Sequence, residues 1–205
     1  MKIRALPFAL AALIAVASSL MQGCVPLVVG GIAAGALVVD DRRTVGAQTE
    51  DKSILVKTEA RLGEKFSSQA HINVTSFNRR VLLTGEVPDA AAKAEAERIA
   101  AGVENITSVV NELQIASASS LGARTSDSIL TAKVKGNFVD DKELLANAFK
   151  VVSEAGVVYL MGLVTRGEGD RAASVAARTS GVKQVVKVFE YIPVAPRKAE
   201  DNTKK

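Results

Sequence analysis

The sequence has little of the chemistry that enzymes commonly use. Its 205 residues include one cysteine, one histidine and no tryptophan, and aromatic residues make up only 4%. With a single thiol the chain can form no internal disulfide, so packing alone must stabilise the fold. Because aromatic side chains are so few, the cores must be built from valine, leucine, isoleucine and alanine.

Catalytic motifs are also missing. His71, the sole histidine, stands at the start of a predicted strand, with no metal-ligand cluster beside it in the sequence. Nucleophile-elbow and phosphate-loop motifs are absent. The adjacent pairs at residues 40–41 and 140–141 suit linkers or turns better than an acid/base pair, because neighbouring side chains need not converge. We therefore expect no enzymatic activity, no cofactor, no bound metal and an exposed His71.

The first 24 residues carry a secretion signal. A basic start is followed by an apolar run over residues 5–20 and by the sequence MQGC, which ends at Cys24. This order is typical of a secretory signal peptide. The last four residues resemble the lipobox of bacterial lipoproteins, so we predict a signal peptide over residues 1–23 and lipidation of Cys24. The alternatives are an ordinary signal peptide and a buried helix with an incidental thiol.

The chain beyond the signal is nearly balanced in charge and begins with an apolar segment. Cleavage removes Lys2 and Arg4 and so lowers the formal net charge of +4 by two units, which argues against a nucleic-acid binder with a wholly basic surface. Residues 24–50 form a predicted lipidated tether, rich in apolar residues and glycine. Its apolar part is too short and too rich in glycine and proline to span about 30 Å of hydrocarbon as a helix.

An internal repeat occupies most of the remaining chain. Residues 74–87 align without a gap with residues 151–164, and upstream Ser53-Ile54-Leu55 aligns with Ser128-Ile129-Leu130. Both copies carry a glycine at the same place in a β-rich run, Gly85 and Gly162. A glycine inside a strand usually marks a bulge or a close backbone approach, so we interpret both as structural.

Each copy has the same order of predicted elements. Apolar residues at helical spacing predict a first helix, which begins behind Ser53 in one copy and behind Asp127 or Ser128 in the other. A hairpin, a second helix and a final strand follow. The sequence therefore predicts an α+β fold with two α-β-β-α-β units, each a three-stranded sheet covered on one face by two helices. The later elements are expected at residues 72–77, 81–87, 88–101 and 106–115, and at 149–153, 157–164, 165–179 and 185–192.

The element order, the V.L.G.V pattern of the second strand and the Gly-Val start of the last strand resemble the BON domain. Two such domains behind a lipobox and a DxR..G.Q..D segment, here residues 41–51, resemble the dual BON-domain outer-membrane lipoproteins. We accordingly expect BON domains at residues 51–117 and 128–193, a linker at 118–127 and a disordered tail at 194–205.

This resemblance implies a lipid-anchored protein of the outer membrane that faces the periplasm and supports envelope integrity, often at the division site. It implies binding to anionic phospholipids of the inner leaflet, such as phosphatidylglycerol and cardiolipin, through the first helix of the second domain. That helix corresponds to residues 127–135. The family pattern has a tryptophan at the position of Ile129 in this chain.

The residues of that helix support lipid binding on physical grounds. Each lysine near an anionic surface contributes about 1 kcal/mol, and apolar side chains beside it bury area in the membrane. The candidate lipid-binding residues are Ile129, Leu130, Lys133, Val134 and Lys135, with Lys142 and Lys150 nearby.

Two other interpretations stay open at this point. Leu130, Val134 and Phe138 are spaced to face the sheet of their own domain, which would leave the lysines as a solvated edge. The whole protein also suits an adaptor, in which exposed sheet faces or edges dock outer-membrane assembly or cell-division factors.

Overall fold

The computed structural model describes residues 41–67 and 69–193. The predicted signal peptide, Cys24, most of the tether and the tail from residue 194 lie outside the described residues. Within the described part, no helix combines the length and the apolar character needed to cross a membrane.

The first domain has the order α1 (Val45–Phe66), β1 (His71–Phe77), β2 (Arg80–Val87), α2 (Ala90–Ala101), β3 (Ser108–Asn111) and β4 (Gln114–Ile115). β2 is central: it pairs antiparallel with β1 and parallel with both β3 and β4. The strand expected at residues 106–115 is thus interrupted, and the fully buried Leu113 lies at the interruption.

The second domain repeats this order with α3 (Leu121–Asp140), β5 (Phe149–Glu154), β6 (Val157–Val164), α4 (Arg166–Ala177) and β7 (Gln184–Tyr191). β6 pairs antiparallel with β5 and parallel with β7. The predicted α+β fold with two repeated units is confirmed.

Both first helices begin earlier than predicted. Thr44 caps α1 and Ser120 caps α3, each through its hydroxyl oxygen. Ser53, Asp127 and Ser128 lie inside the helices, so the predicted N-caps were wrong. The prediction was wrong because the apolar spacing begins only at Ile54 and Leu130, about three turns after each cap. Residues 45–50 of the expected tether and 121–127 of the expected linker are therefore helical.

The helices also correct the repeat alignment. The buried positions of α1 are Asp51, Ile54, Thr58, Leu62 and Phe66, and those of α3 are Asp127, Leu130, Val134 and Phe138. The two sets of buried positions match only if Ile54 corresponds to Leu130. The alignment made from the sequence had matched Ile54 with Ile129, one residue earlier. Ile129 therefore corresponds to Ser53, which is half-buried and does not belong to the core.

The two domains pack sheet against sheet. Each sheet turns one face to its own two helices and the other face to the other domain, as the period of two in a strand requires. A separate apolar core fills this interface and includes Phe77, Leu82, Tyr159, Met161 and Val188. The helices consequently lie on the outside, and the sheet faces are buried against each other.

The two strand glycines lie where a backbone comes close. Gly85 has a φ of 111°, and a Cβ there would collide with the carbonyl group of His71 on the paired strand. A Cβ on Gly162 would lie 2.8 Å from the carbonyl oxygen of Ala148. These contacts support the structural role that we infer for both residues.

Candidate functional site

A buried aspartate fixes the candidate lipid-contact helix α3 to its domain. The carboxylate of Asp127 accepts hydrogen bonds of 2.9 Å from the backbone N–H groups of Ala155 and Gly156 at the β5–β6 turn. Both turn residues have positive φ, of 51° and 83°. This conformation directs the two N–H groups to one acceptor. The helix therefore holds a defined position over the hairpin.

The first domain has the same contact. Asp51 accepts hydrogen bonds of 2.7 Å from the N–H groups of Asn78 and Arg79 at the β1–β2 turn. Sequence reasoning missed this pair of aspartates, although each stands three residues before a buried apolar residue in its copy of the repeat. That recurrence was the signal that could have found them.

The structure divides the five predicted lipid-contact residues between two faces of α3. Leu130 and Val134 are buried, with exposures of 6% and 0%, and belong to the core of the second domain. Ile129, Lys133 and Lys135 are exposed. The interpretation that Leu130 and Val134 face the sheet is therefore correct. A membrane contact must use the other three.

An apolar stripe runs along the outer face of α3. Leu121, Ile129 and Val139 are exposed by 80%, 53% and 72%. At about 100° of rotation per residue, these three side chains lie within an arc of about 80°. Lys133 and Lys135 fall about 40° beyond opposite edges of that arc. The outer face thus presents apolar side chains between two ammonium groups.

A groove of about 500 Å³ lies beside the stripe. Ile129, Leu130 and Lys133 form one wall, and Gly181 and Lys183 belong to the opposite side. The Lys183 ammonium group donates a hydrogen bond of 3.0 Å to the carbonyl oxygen of Ala155. Lys183 was not predicted, because it precedes the last strand and lies far from α3 in the sequence.

The lysines of α3 lack acidic partners. Neither Lys133 nor Lys135 forms an ion pair or hydrogen bond with any residue that the structure describes. Burial, together with the positive charges of Lys135 and Arg43, lowers the pKa of Lys150. An anion between Lys135 and Lys150 would relieve this repulsion.

The corresponding helix of the first domain differs in charge. Lys57 and Glu59 of α1 occupy the positions of Lys133 and Lys135. The Lys57 ammonium group pairs with Glu104 at 3.2 Å. The first domain thus has one lysine and one glutamate at the positions where the second domain has two lysines. The outer faces of the two helices therefore differ in charge.

Two arginines join the segment before α1 to both domains. Arg42 forms a bidentate pair with Glu168, at 2.7 and 2.8 Å, at the start of α4 in the second domain. This pairing lowers the pKa of Glu168 to about 2. Arg43 pairs with Asp51 of the first domain at 2.7 Å, and its guanidinium stacks on Phe77. The sequence indicated only that a polar segment ends the tether, and these contacts with the two domains were not predicted.

The environment of His71 differs from the prediction. His71 is half-buried at the domain interface, where ligand atoms of His71, Glu86 and Glu154 lie within 4.8 Å of one another. The expectation of an exposed histidine was wrong, and residues far apart in the sequence surround it with two carboxylates. Strands from both domains supply this cluster, so no local motif reveals it.

These features define a class: a protein of two tandem α+β domains, of which the second presents a helix with exposed lysines and apolar side chains. The BON domain matches residues 51–117 and 126–193, so the chain belongs to the BON-domain family. The predicted resemblance is thereby confirmed.

Three relatives cover most of the chain. Outer membrane lipoprotein DolP of Haemophilus influenzae is 39% identical over 178 residues, which cover 86% of this chain and 92% of the relative. The 21 kDa hemolysin of Actinobacillus pleuropneumoniae is 32% identical over 154 residues, covering 74% and 79%. Osmotically-inducible protein Y of Escherichia coli is 32% identical over 156 residues, covering 74% and 78%.

Proposed function

We propose that this protein is an outer-membrane lipoprotein that binds anionic phospholipid through α3 of its second domain. In this proposal Cys24 carries the lipid anchor, the protein faces the periplasm, and binding to phosphatidylglycerol or cardiolipin of the inner leaflet supports envelope integrity, including at the division site. The observation that carries the proposal is the exposed apolar stripe of α3 between Lys133 and Lys135. The name of the Haemophilus relative supports the location.

The contact suits a membrane surface better than a pocket ligand. Two lysines contribute about 1 kcal/mol each near an anionic leaflet, and the apolar stripe adds burial in the interfacial region. Such a contact is weak by itself. An anchor at Cys24 would hold the domain at a high effective concentration over the bilayer, where weak binding is enough to set orientation.

The adaptor alternative loses much of its surface. It would use exposed sheet faces or edges, and the faces that point away from the helices are buried against each other in the domain interface. Only the sheet edges are left for docking by strand addition. We therefore keep assembly and division factors as partners to be tested and propose no nucleic-acid partner.

Vesicle sedimentation tests the lipid contact. A fragment of residues 39–205 contains both domain cores and lacks Cys24. We expect this fragment to sediment with vesicles containing phosphatidylglycerol or cardiolipin and to stay in solution with phosphatidylcholine. The double substitution Lys133→Glu and Lys135→Glu should weaken binding at least tenfold. The matched control is Lys52→Glu with Lys65→Glu on α1, which makes the same change of charge.

Two results would contradict the proposal. One is an equal loss of binding in the α1 control, which would show that only net charge matters. The other is sedimentation that does not depend on lipid charge. The anchor is tested separately with Cys24→Ser in the full-length chain, which should leave the membrane fraction; retention there would exclude lipidation of Cys24 as the anchor.

A further inference from the structure

The domain interface holds a cluster of metal-ligating side chains. His71 begins β1 and Glu86 lies opposite it on β2, while Glu154 ends β5 of the other domain. One ligand atom from each residue lies within 4.8 Å of the other two. The two domains therefore bring together three donors that are far apart in the sequence.

The two carboxylates are buried, and neither pairs with a lysine or arginine of the described chain. Glu86 and Glu154 are exposed by only 6% and 5%. Each has one oxygen that accepts a hydrogen bond, from the N–H of Ser119 at 3.1 Å and from the amide of Asn73 at 2.7 Å. The second oxygen of each has no partner among the described residues.

Neither carboxylate forms an ion pair with a lysine or arginine of the described chain. The base beside them is His71; burial raises the pKa of Glu154, and the charge of His71 opposes this effect more weakly. Arg124 lines the adjacent groove, but its guanidinium donates to the hydroxyl of Ser119. The hydroxyl of Thr84, on the same sheet face between Leu82 and Glu86, is buried and has no hydrogen-bond partner. Two buried carboxylates that repel each other are costly unless a cation balances them.

We propose that His71, Glu86 and Glu154 form a site for a divalent transition metal, with Zn²⁺ as the preferred ion. One imidazole nitrogen and two carboxylate oxygens are donors that Zn²⁺ accepts, with water in an open position. Mg²⁺ and Ca²⁺ prefer sites built from oxygen alone, so the imidazole disfavours them. The ion would balance the carboxylates and link the two domains.

The surroundings provide support and access. The amide nitrogen of Asn73 donates a hydrogen bond of 2.7 Å to the carboxylate of Glu154 and so can hold this ligand in position. A groove of about 410 Å³ that includes His71, Asn73 and Glu154 in its lining gives solvent a route to the cluster. Tetrahedral zinc ligands lie about 3.4 Å apart, so donors that lie within 4.8 Å of one another must draw together by at most about 1.4 Å on binding.

Isothermal titration with ZnCl₂ tests the site. The full-length chain is used in a non-ionic detergent, without a histidine tag and with Cys24→Ser so that no thiol competes. We expect one Zn²⁺ per chain, a thermal midpoint that rises with Zn²⁺, and much weaker binding of MgCl₂ and CaCl₂. His71→Ala and Glu154→Gln should each weaken Zn²⁺ binding at least tenfold. Glu190→Gln, an exposed carboxylate that bonds Asn78 of the other domain, is the matched control and should bind normally.

A second readout does not depend on the variants folding. The chain has one histidine, so its imidazole signals in an NMR spectrum belong to His71 without further assignment. Zn²⁺ should shift these signals in saturable fashion, and Co²⁺ should broaden them. Unshifted signals, absence of heat, or undiminished binding in the His71→Ala protein would overturn the proposal.

Discussion

Replacing Ile129 by serine tests the membrane contact at a single side chain. Ile129 is 53% exposed and lies outside the core, so the substitution should leave the fold intact. Burying a whole isoleucine side chain contributes about 1.5–3 kcal/mol, so the exposed half would supply about 1–1.5 kcal/mol on entering the interfacial region. Its loss should weaken vesicle binding by about five- to tenfold.

The reverse substitution gives a direct spectroscopic readout. The chain has no tryptophan, so Ile129→Trp introduces the only one. An indole ring favours the headgroup level, and we expect tighter binding and a blue shift of its emission on vesicles containing phosphatidylglycerol. The control is Val56 on α1, which is 64% exposed, replaced by serine or by tryptophan in parallel.

The refuting results are specific. Equal weakening by Ile129→Ser and Val56→Ser would show that both first helices contact lipid alike. An emission maximum of the Ile129→Trp protein that does not move on binding would show that the outer face of α3 stays in water. The first result would contradict a contact made specifically by α3, and the second would remove α3 as a lipid-contact element.

Three further predictions concern the elements that hold the site. Asp127→Ala deprives two turn N–H groups of a charged acceptor and should lower the free energy of unfolding by about 3 kcal/mol, measured by urea denaturation. Arg42→Ala should lower the thermal midpoint at pH 7 but have little effect near pH 2. The reason is that the lowered pKa of Glu168 stabilises the fold above about pH 4.5, a contribution lost as the pH falls through its folded pKa of about 2. Gly162→Val should lower the thermal midpoint by several degrees, because the added side chain meets the carbonyl of Ala148.

Each of these has a clear contrary result. Asp140→Ala at the exposed end of α3 is the control for Asp127, and similar losses in both would show that the turn contact contributes nothing special. An Arg42→Ala protein whose deficit is the same at pH 2 and pH 7 would exclude the ion pair as its cause. An unchanged midpoint for Gly162→Val would contradict the close approach.

Local patterns in the sequence were enough to predict the order of helices and strands and the two repeated units. The ungapped repeat of the hairpins aligned Gly85 with Gly162, and the structure places both in the central strand of their sheets. Alternation and helical spacing gave the order of elements because they reflect which side chains face a core. The predicted first residues of α1 and α3 were wrong, because the caps Thr44 and Ser120 precede the first buried residues, Asp51 and Asp127, by about two turns.

Sequence patterns did not assign the residues of the candidate site to the correct face of α3. Ile129 and Leu130 are both apolar, and the sequence matched Ile129 with the core residue Ile54. Burial shows that Leu130 holds that core position, while Ile129 belongs to the outer stripe. A one-residue difference turns a helical side chain by about 100°, which decides between core and membrane. Lys183 joined the groove only through the fold.

By itself the sequence determined two copies of one α+β unit, since hydrophobic periodicity is a local property of each segment. Only the tertiary structure decided that the two sheets bury each other, that α3 turns a stripe flanked by lysines outward, and that His71 meets Glu86 and Glu154. These facts depend on contacts between residues far apart in the chain. Such contacts are fixed by packing and leave no periodic trace in the sequence.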